Sequence, residues 1–252
     1  MTTKRFKLVL WTITLIVIVA SCVLRFSPFA YDVSETSEYN YSGKSISEIN
    51  VDVDVADLNI KYGKDFKVYT NYQKVIEPEV TLSDGKLDIK QENKNINQGY
   101  LKDCSIKIVV PKGTKIEGAN IITSAGDIDI SEVGFESIMI DAEAGDIDIN
   151  EVTAKSLVID AEAGDIDITK SDFKSVDITT EAGDIDLEDV SSSSGTFDSE
   201  LGGIDINGKF DKITATCELG SIDITVPDAN KVDFDLDCEL GSIKVNGKNW
   251  NN

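Results

Sequence analysis

Gly126-Asp127-Ile128-Asp129-Ile130, Gly145-Asp146-Ile147-Asp148-Ile149 and Gly164-Asp165-Ile166-Asp167-Ile168 are one phrase written three times. The opening glycine recurs at positions 183, 202, 220 and 241, at intervals of 18 to 21 residues. A period near 19 with a glycine corner and alternating apolar residues is the signature of a stacked β-coil. In Ile138-Met139-Ile140-Asp141-Ala142-Glu143-Ala144 the even positions are apolar and most odd ones charged, the period-2 pattern of a half-buried strand. Gly145 breaks the phase, and alternation resumes with apolar residues on odd numbers. A residue free to take positive φ is what a sharp corner between two strands requires. A looser third side follows, with one apolar plug per coil at Val133, Val152, Phe173, Val190 and Phe210.

Stacking these coils predicts two interior rows. One holds Ile128, Ile147, Ile166, Ile185, Ile204, Ile222 and Ile243; the other holds Ile130, Ile149, Ile168, Leu187, Ile206, Ile224 and Val245. Ala142, Ala144, Ala161, Ala163 and Ala182 are expected to fill the narrow corner. One coil alone buries too little to be stable, and its neighbours supply the missing surface. The expected fold is all-β: a right-handed parallel β-solenoid of about seven 19-residue coils over residues 119–252. Residues 45–118 read as a less regular β region, in which Asn50–Ile60 aligns with the repeat as a degenerate first coil with Ala56 at the corner. Further strands are expected at Lys67–Tyr72, Glu79–Leu82, Lys86–Gln91 and Ser105–Val110. They should cap the first coil, whose open edge would otherwise pair with other chains. Trp250 is placed to cover the far end.

The formal net charge is −22, and it is not evenly spread. Residues 1–118 contain 15 acids and 16 bases, whereas residues 119–252 contain 31 acids and 8 bases. Such a field repels nucleic acid and anionic lipid, so no nucleic-acid partner is expected. The N-terminus reads Lys4-Arg5-Phe6-Lys7 and continues as an apolar run from Leu8 to Leu24. As a helix, that run rises about 26 Å, enough to cross a thinned ~30 Å hydrocarbon core. The sequence therefore predicts one N-terminal membrane helix within residues 1–26, a membrane contact through residues 8–24, a cytoplasmic N-terminus and residues 27–252 outside the cell. Residues 27–44 read as a polar stalk. Two other fates stay open: cleavage with release, and lipidation at Cys22, because Val19-Ala20-Ser21-Cys22 resembles a lipobox.

Of the remaining cysteines, Cys104 shares parity with Ile106, Ile108 and Val110 and should point inward. Cys217 and Cys238 each open a Cys-Glu-Leu-Gly phrase and should sit one above the other. Strand spacing of ~4.8 Å lies within disulfide range, so this pair forms either a Cys217–Cys238 disulfide or two stacked thiols.

The outward face carries columns of acids. One column is Glu143, Glu162, Glu181, Glu200, Glu218 and Glu239; a second is Asp129, Asp148, Asp167, Asp186, Asp205 and Asp223; a third is Asp127, Asp146, Asp165 and Asp184. Unit charges ~4.8 Å apart repel by about 0.9 kcal/mol in bulk water, and by several-fold more near a protein surface. Burial, partial protonation or bound cations must offset this. Glu143, Glu162, Glu181, Asp146, Asp148, Asp165, Asp167, Asp184 and Asp186 are accordingly candidate Ca²⁺ ligands, Ca²⁺ being the one cofactor the sequence suggests. The alternative is a solvated acidic face that keeps a β-array soluble.

No catalytic residues are assigned. The chain has no histidine. Carboxylate pairs occur on every coil and so single out none. All seven tyrosines lie between Tyr31 and Tyr100, so a glycan platform, if present, belongs to the N-terminal β region, where Tyr62, Tyr69 and Tyr72 also suit plain strand packing.

Val110-Pro111-Lys112-Gly113 leading into Gly-Asp-Ile-Asp-Ile repeats, behind an apolar N-terminal segment, resembles the "putative-adhesin" family, also called toastrack or LiaG-like, over roughly residues 45–247. The resemblance implies a non-enzymatic, membrane-anchored bacterial β-solenoid. It implies an extracytoplasmic adhesin-like binding or scaffold module with an envelope protein or glycan as ligand. An accessory role in cell-envelope stress signalling and a Ca²⁺-stabilised surface repeat protein are the alternatives. The unusual acidity and near-identical middle repeats depart from the family pattern.

Overall fold

The computed structural model describes residues 34–92 and 104–250. The expected membrane helix over 8–24 and Cys22 lie outside the described residues. Among the described residues no helix is long and apolar enough to cross a membrane.

The repeat array stacks as its spacing dictates. Strands Ile128–Ser131, Ile147–Asn150 and Ile166–Thr169 pair in parallel, with Ile128, Ile147 and Ile166 in direct register. Ile166 continues to Ile185 and Ile185 to Ile204. The second row runs Ile130, Ile149, Ile168, Leu187 and Ile206. Nearly every member of both rows is buried; only Ile243, on the last coil, is partly open. Burying such a side chain contributes about 1.5–3 kcal/mol, and β-branched residues suit a pleated surface, so the isoleucine rows both select strands and hold the coils together.

The array extends beyond the seven glycine-marked coils. Leu58 and Ile60 of strand Asp57–Gly63 pair with Ile128 and Ile130, so Asn50–Ile60 is a coil of the same stack. It is second in space, not first. Strands Glu48–Val53 and Asp57–Gly63 are sandwiched between the next coil and a terminal one built from Lys86–Gln91 and Ser105–Pro111. Ile106 and Ile108 therefore end the two interior rows. The terminal coil is closed by antiparallel strands: Lys67–Gln73 on Ser105–Pro111, Glu79–Ser83 on Lys86–Gln91, and Ser34–Asn40 on Lys67–Gln73. Antiparallel pairing turns a free parallel edge into a closed one. Residues 34–40, read from sequence as polar stalk, are part of this cap.

The reading of the corner alanines needs correction. Ala142 and Ala161 are interior, in a row that continues through Thr180, Ser199 and Cys217, but Ala144 and Ala163 are exposed and Ala182 is partly so. Glu143 and Ala144 are both outside, so alternation ends before the glycine rather than at it. The apolar plugs, read as one per coil, fall in two columns. Val152 stacks on Ser171, whose hydroxyl accepts the Val152 N–H at 3.0 Å, and Val190 pairs with Gly208. Phe173 pairs instead with Ala154, and Phe210 with Ser192. In this column each ring lies in register with a small side chain on a neighbouring coil, so large and small residues share the space between coils.

Candidate functional site

Each coil in the middle of the array has two tight corners, and the acidic columns hang on them. The first corner is the glycine. Gly126, Gly145, Gly164, Gly183 and Gly202 have φ between 133° and 152°. A Cβ on Gly164 would come within 2.6 Å of the Gly145 carbonyl carbon, so the coils touch backbone to backbone here. The second corner is a left-handed non-glycine residue: Glu132, Glu151, Lys170 and Asp189, with φ between 49° and 60°. Sequence reasoning missed this corner, because nothing about these side chains marks αL geometry. The inter-coil bonds of their N–H groups, for example Glu132 N to Asn150 O at 2.9 Å, hold the conformation.

Where an aspartate follows the corner residue, it is a structural acceptor. Oδ1 of Asp57, Asp127, Asp146 and Asp165 accepts the backbone N–H of Asp127, Asp146, Asp165 and Asp184, respectively, at 3.2, 3.1, 3.0 and 2.9 Å. Asp184 Oδ1 accepts from Gly203 N–H at 2.6 Å and ends the series. Each carboxylate thus reaches one coil onward and captures a corner amide. Charge-assisted bonds of this kind offset the repulsion along the column. This is an offset that the sequence reading did not foresee.

The parallel column, Asp129 to Asp223, has no such amides and is handled differently. Burial first, and then the charges of carboxylates on adjacent coils, push the Asp148 and Asp186 carboxyls above their ordinary value. Burial and Asp223 do the same to Asp205. The column is bracketed by neutral or basic side chains in register. Asn59 pairs with both Asp129 and Lys107 at one end, and Lys244 pairs with Asp223 at 3.9 Å at the other. Glu136 is also held by cations on its flanking coils, Lys155 and Lys115, and its carboxyl is lowered by both.

Of the nine candidate Ca²⁺ ligands, the structure places Glu143, Glu162 and Glu181 exposed at the glycine corner, Asp146, Asp165 and Asp184 in the amide-capping column, and Asp148, Asp167 and Asp186 in the parallel one. Each column runs in single file, one carboxylate per coil. Among the described residues no group of three or more His, Cys, Asp or Glu side chains is arranged to hold a metal ion. A groove of the array lies where Asp gives way to Gly203 and Ser221, between Asp184, Asp186, Asp205 and Asp223.

Cys217 and Cys238 are direct register partners on the last two coils, and both are free thiols. Cys217 is fully buried, and burial together with Cys238 pushes its thiol up to about 11. Cys104 is buried, pointing inward as its parity requires.

The N-terminal tyrosines divide. Tyr72 is buried and donates to Glu77 Oε1 at 3.1 Å, and Tyr41 packs on Phe66 with ring centroids 5.4 Å apart. Tyr69 lies between the ammonium groups of Lys67 and Lys107, each 5.9 Å from its ring, beside a shallow depression lined by Glu38 and Asn71.

The same solenoid occurs in solved structures. A "putative adhesin" from Bacteroides fragilis superposes with a TM-score of 0.63 at 17% identity, covering 85% of this chain and 97% of that one. A "putative adhesin" from Parabacteroides distasonis gives 0.54 at 13% identity, covering 84% and 97%. Identities this low establish a shared fold and nothing further. No curated protein matches the chain. Residues 46–251, from the out-of-order second coil to the end of the stack, match the sequence profile of one family, and the chain belongs to it: the Toastrack DUF4097 family.

Proposed function

We propose that this protein is a non-catalytic, extracytoplasmic adhesin-like binding or scaffold module, tethered to the bacterial cell membrane through the apolar segment 8–24. In this reading the coils wind right-handed, as parallel crossovers prefer. The observation that carries it is how the corner aspartates are used. Each is committed to a backbone amide of the next coil, which makes the repeat face a rigid, evenly spaced surface rather than a convergence of reactive groups. The shared fold with two proteins described as putative adhesins supports the same reading.

Binding at an extracellular ligand and action through a membrane partner are separated by where binding resides. Ser34–Asn252 forms one compact unit, so it can be produced without the N-terminal segment. A module of the proposed kind binds intact cells or envelope material saturably as this soluble unit. If instead only the full chain associates, and it copurifies with membrane proteins through residues 1–26, the protein is an accessory of a membrane system and the proposal fails.

A further inference from the structure

The three coils at the C-terminal end break the corner rule of the others. The three preceding corners read Glu-Ala-Gly-Asp, as at Glu162-Ala163-Gly164-Asp165, but the last three read Glu200-Leu201-Gly202-Gly203, Glu218-Leu219-Gly220-Ser221 and Glu239-Leu240-Gly241-Ser242. Two changes occur together. A leucine replaces the corner alanine, and glycine or serine replaces the capping aspartate. Leu201, Leu219 and Leu240 are in direct register, Leu201 continuing the Ala163–Ala182 row, and are 54%, 50% and 67% exposed. They form an apolar ridge where the rest of the stack shows small side chains.

Folding does not require that ridge. The same corner is built with alanine on the preceding coils, and the interior of the last coils is already filled by Ile204, Ile206, Ile222 and Ile224. An apolar row left in water while a charged column beside it is deleted is the composition of an interface. The neighbouring residues say what covers it. Glu200, Glu218 and Glu239 run alongside, one per leucine, within an array whose field is strongly negative. A lipid surface rich in anionic headgroups is repelled. A second copy meeting ridge to ridge would set the same glutamates against themselves. A basic partner is attracted. Leucines about 4.8 Å apart match the 5–6 Å between i and i+3 or i+4 positions along a helix laid parallel to the stack.

We propose that the Leu201–Leu219–Leu240 ridge docks a cationic amphipathic helix of a partner protein, its apolar stripe on the leucines and its Lys or Arg side chains against Glu200, Glu218 and Glu239. This rests on the binding-module reading above and names the partner chemistry of one face. The test uses the full chain and a fluorescent helical leucine–lysine peptide with a single apolar face, alongside a scrambled peptide of identical composition. The expected result is that L201A/L219A/L240A weakens binding of the amphipathic peptide at least tenfold with an unchanged melting temperature. The scrambled peptide binds both proteins equally and weakly, and E200Q/E218Q/E239Q flattens the salt dependence. Equal binding of the amphipathic peptide to wild type and the leucine variant overturns the proposal, leaving only generic charge attraction. Self-association of the wild type that disappears in the leucine variant overturns it in favour of a second copy. If either occurs while the soluble unit still binds cells, the ridge assignment fails and the module reading stands.

Discussion

Replacing Gly164 with alanine tests how the coils touch. Gly164 sits at φ 133°, a region that side-chain-bearing residues rarely enter. Its added Cβ would fall 2.6 Å from the Gly145 carbonyl carbon, closer still to that oxygen, and 3.3 Å from Asp146 N. All three atoms are backbone of the neighbouring coil, so no side chain can swing away. Relieving the overlap needs a shift of about 1 Å at the corner, given ordinary heavy-atom contacts near 3.5 Å. That shift strains the Gly164 N–H bond to Ala182 O at 3.0 Å, the Gly145 N–H bond to Ala163 O at 3.1 Å and the Asp165 N–H bond to Asp146 Oδ1 at 3.0 Å. Losing two of the three costs roughly 1–3 kcal/mol, and the strained backbone adds about 1–3 kcal/mol. Gly164→Ala should therefore destabilise the fold by roughly 2–6 kcal/mol, a large part of a typical domain's total. Gly113→Ala is the control: φ is 85° and nothing lies within 4 Å of the added Cβ, so backbone conformation alone is charged, about 1 kcal/mol. Urea unfolding followed by far-UV circular dichroism compares the two. A Gly164→Ala loss no larger than that of Gly113→Ala would refute the backbone-contact argument.

Other predictions follow from single contacts. Asp146→Ala removes the acceptor for Asp165 N–H and should cost about 1 kcal/mol, whereas Asp146→Asn keeps an acceptor, sheds a repelled charge and should be neutral or stabilising; equal losses would deny the capping role. Ala154→Phe, placed against Phe173, should overpack by about 1–3 kcal/mol, and an unchanged unfolding midpoint would mean the ring rows are not interleaved. At neutral pH, iodoacetamide should label the half-exposed Cys238 before the buried Cys217, whose thiol is pushed up to about 11; peptide mass mapping showing the reverse order would contradict that burial. Millimolar Ca²⁺ at constant ionic strength should leave the melting temperature unmoved if carboxylates in single file cannot share an ion, and a rise would show that the columns gather cations after all.

The array was legible because its signal is repeated. A one-residue error in register would flip every isoleucine to the wrong face, so Ile128 to Val245 could be placed from spacing alone. The terminal coil was not, because Lys86–Gln91 and Ser105–Pro111 carry no glycine corner and the chain reaches them only after passing through the coil that lies inside them. The exposure of Ala144 and Ala163 was hidden by a small side chain's indifference to burial. The columns themselves were visible as patterns of acids, but their two fates were not. Whether Asp127 meets an amide while Asp148 meets only other aspartates depends on the angle at which each leaves the corner, and both read as Gly-Asp-Ile-Asp in sequence.

The melting temperature as a function of pH tests most directly the claim that coils stacked in register hold their aspartates in mutually repelling files. Asp148, Asp186 and Asp205 have raised carboxyls in the fold, so the folded state binds more protons than the unfolded chain above the ordinary aspartate value of about 3.9. Their contribution is fullest below that value and is lost as pH rises through the raised one. Glu136 and Asp228 act oppositely: their lowered carboxyls contribute above the ordinary value and fail as pH falls through theirs. The account predicts a melting temperature that climbs as pH is lowered from neutrality toward the ordinary aspartate value, flattens in D148N/D186N/D205N, and falls only under stronger acid. A melting temperature that declines steadily from neutral pH downward, with the triple variant indistinguishable from wild type, would contradict it.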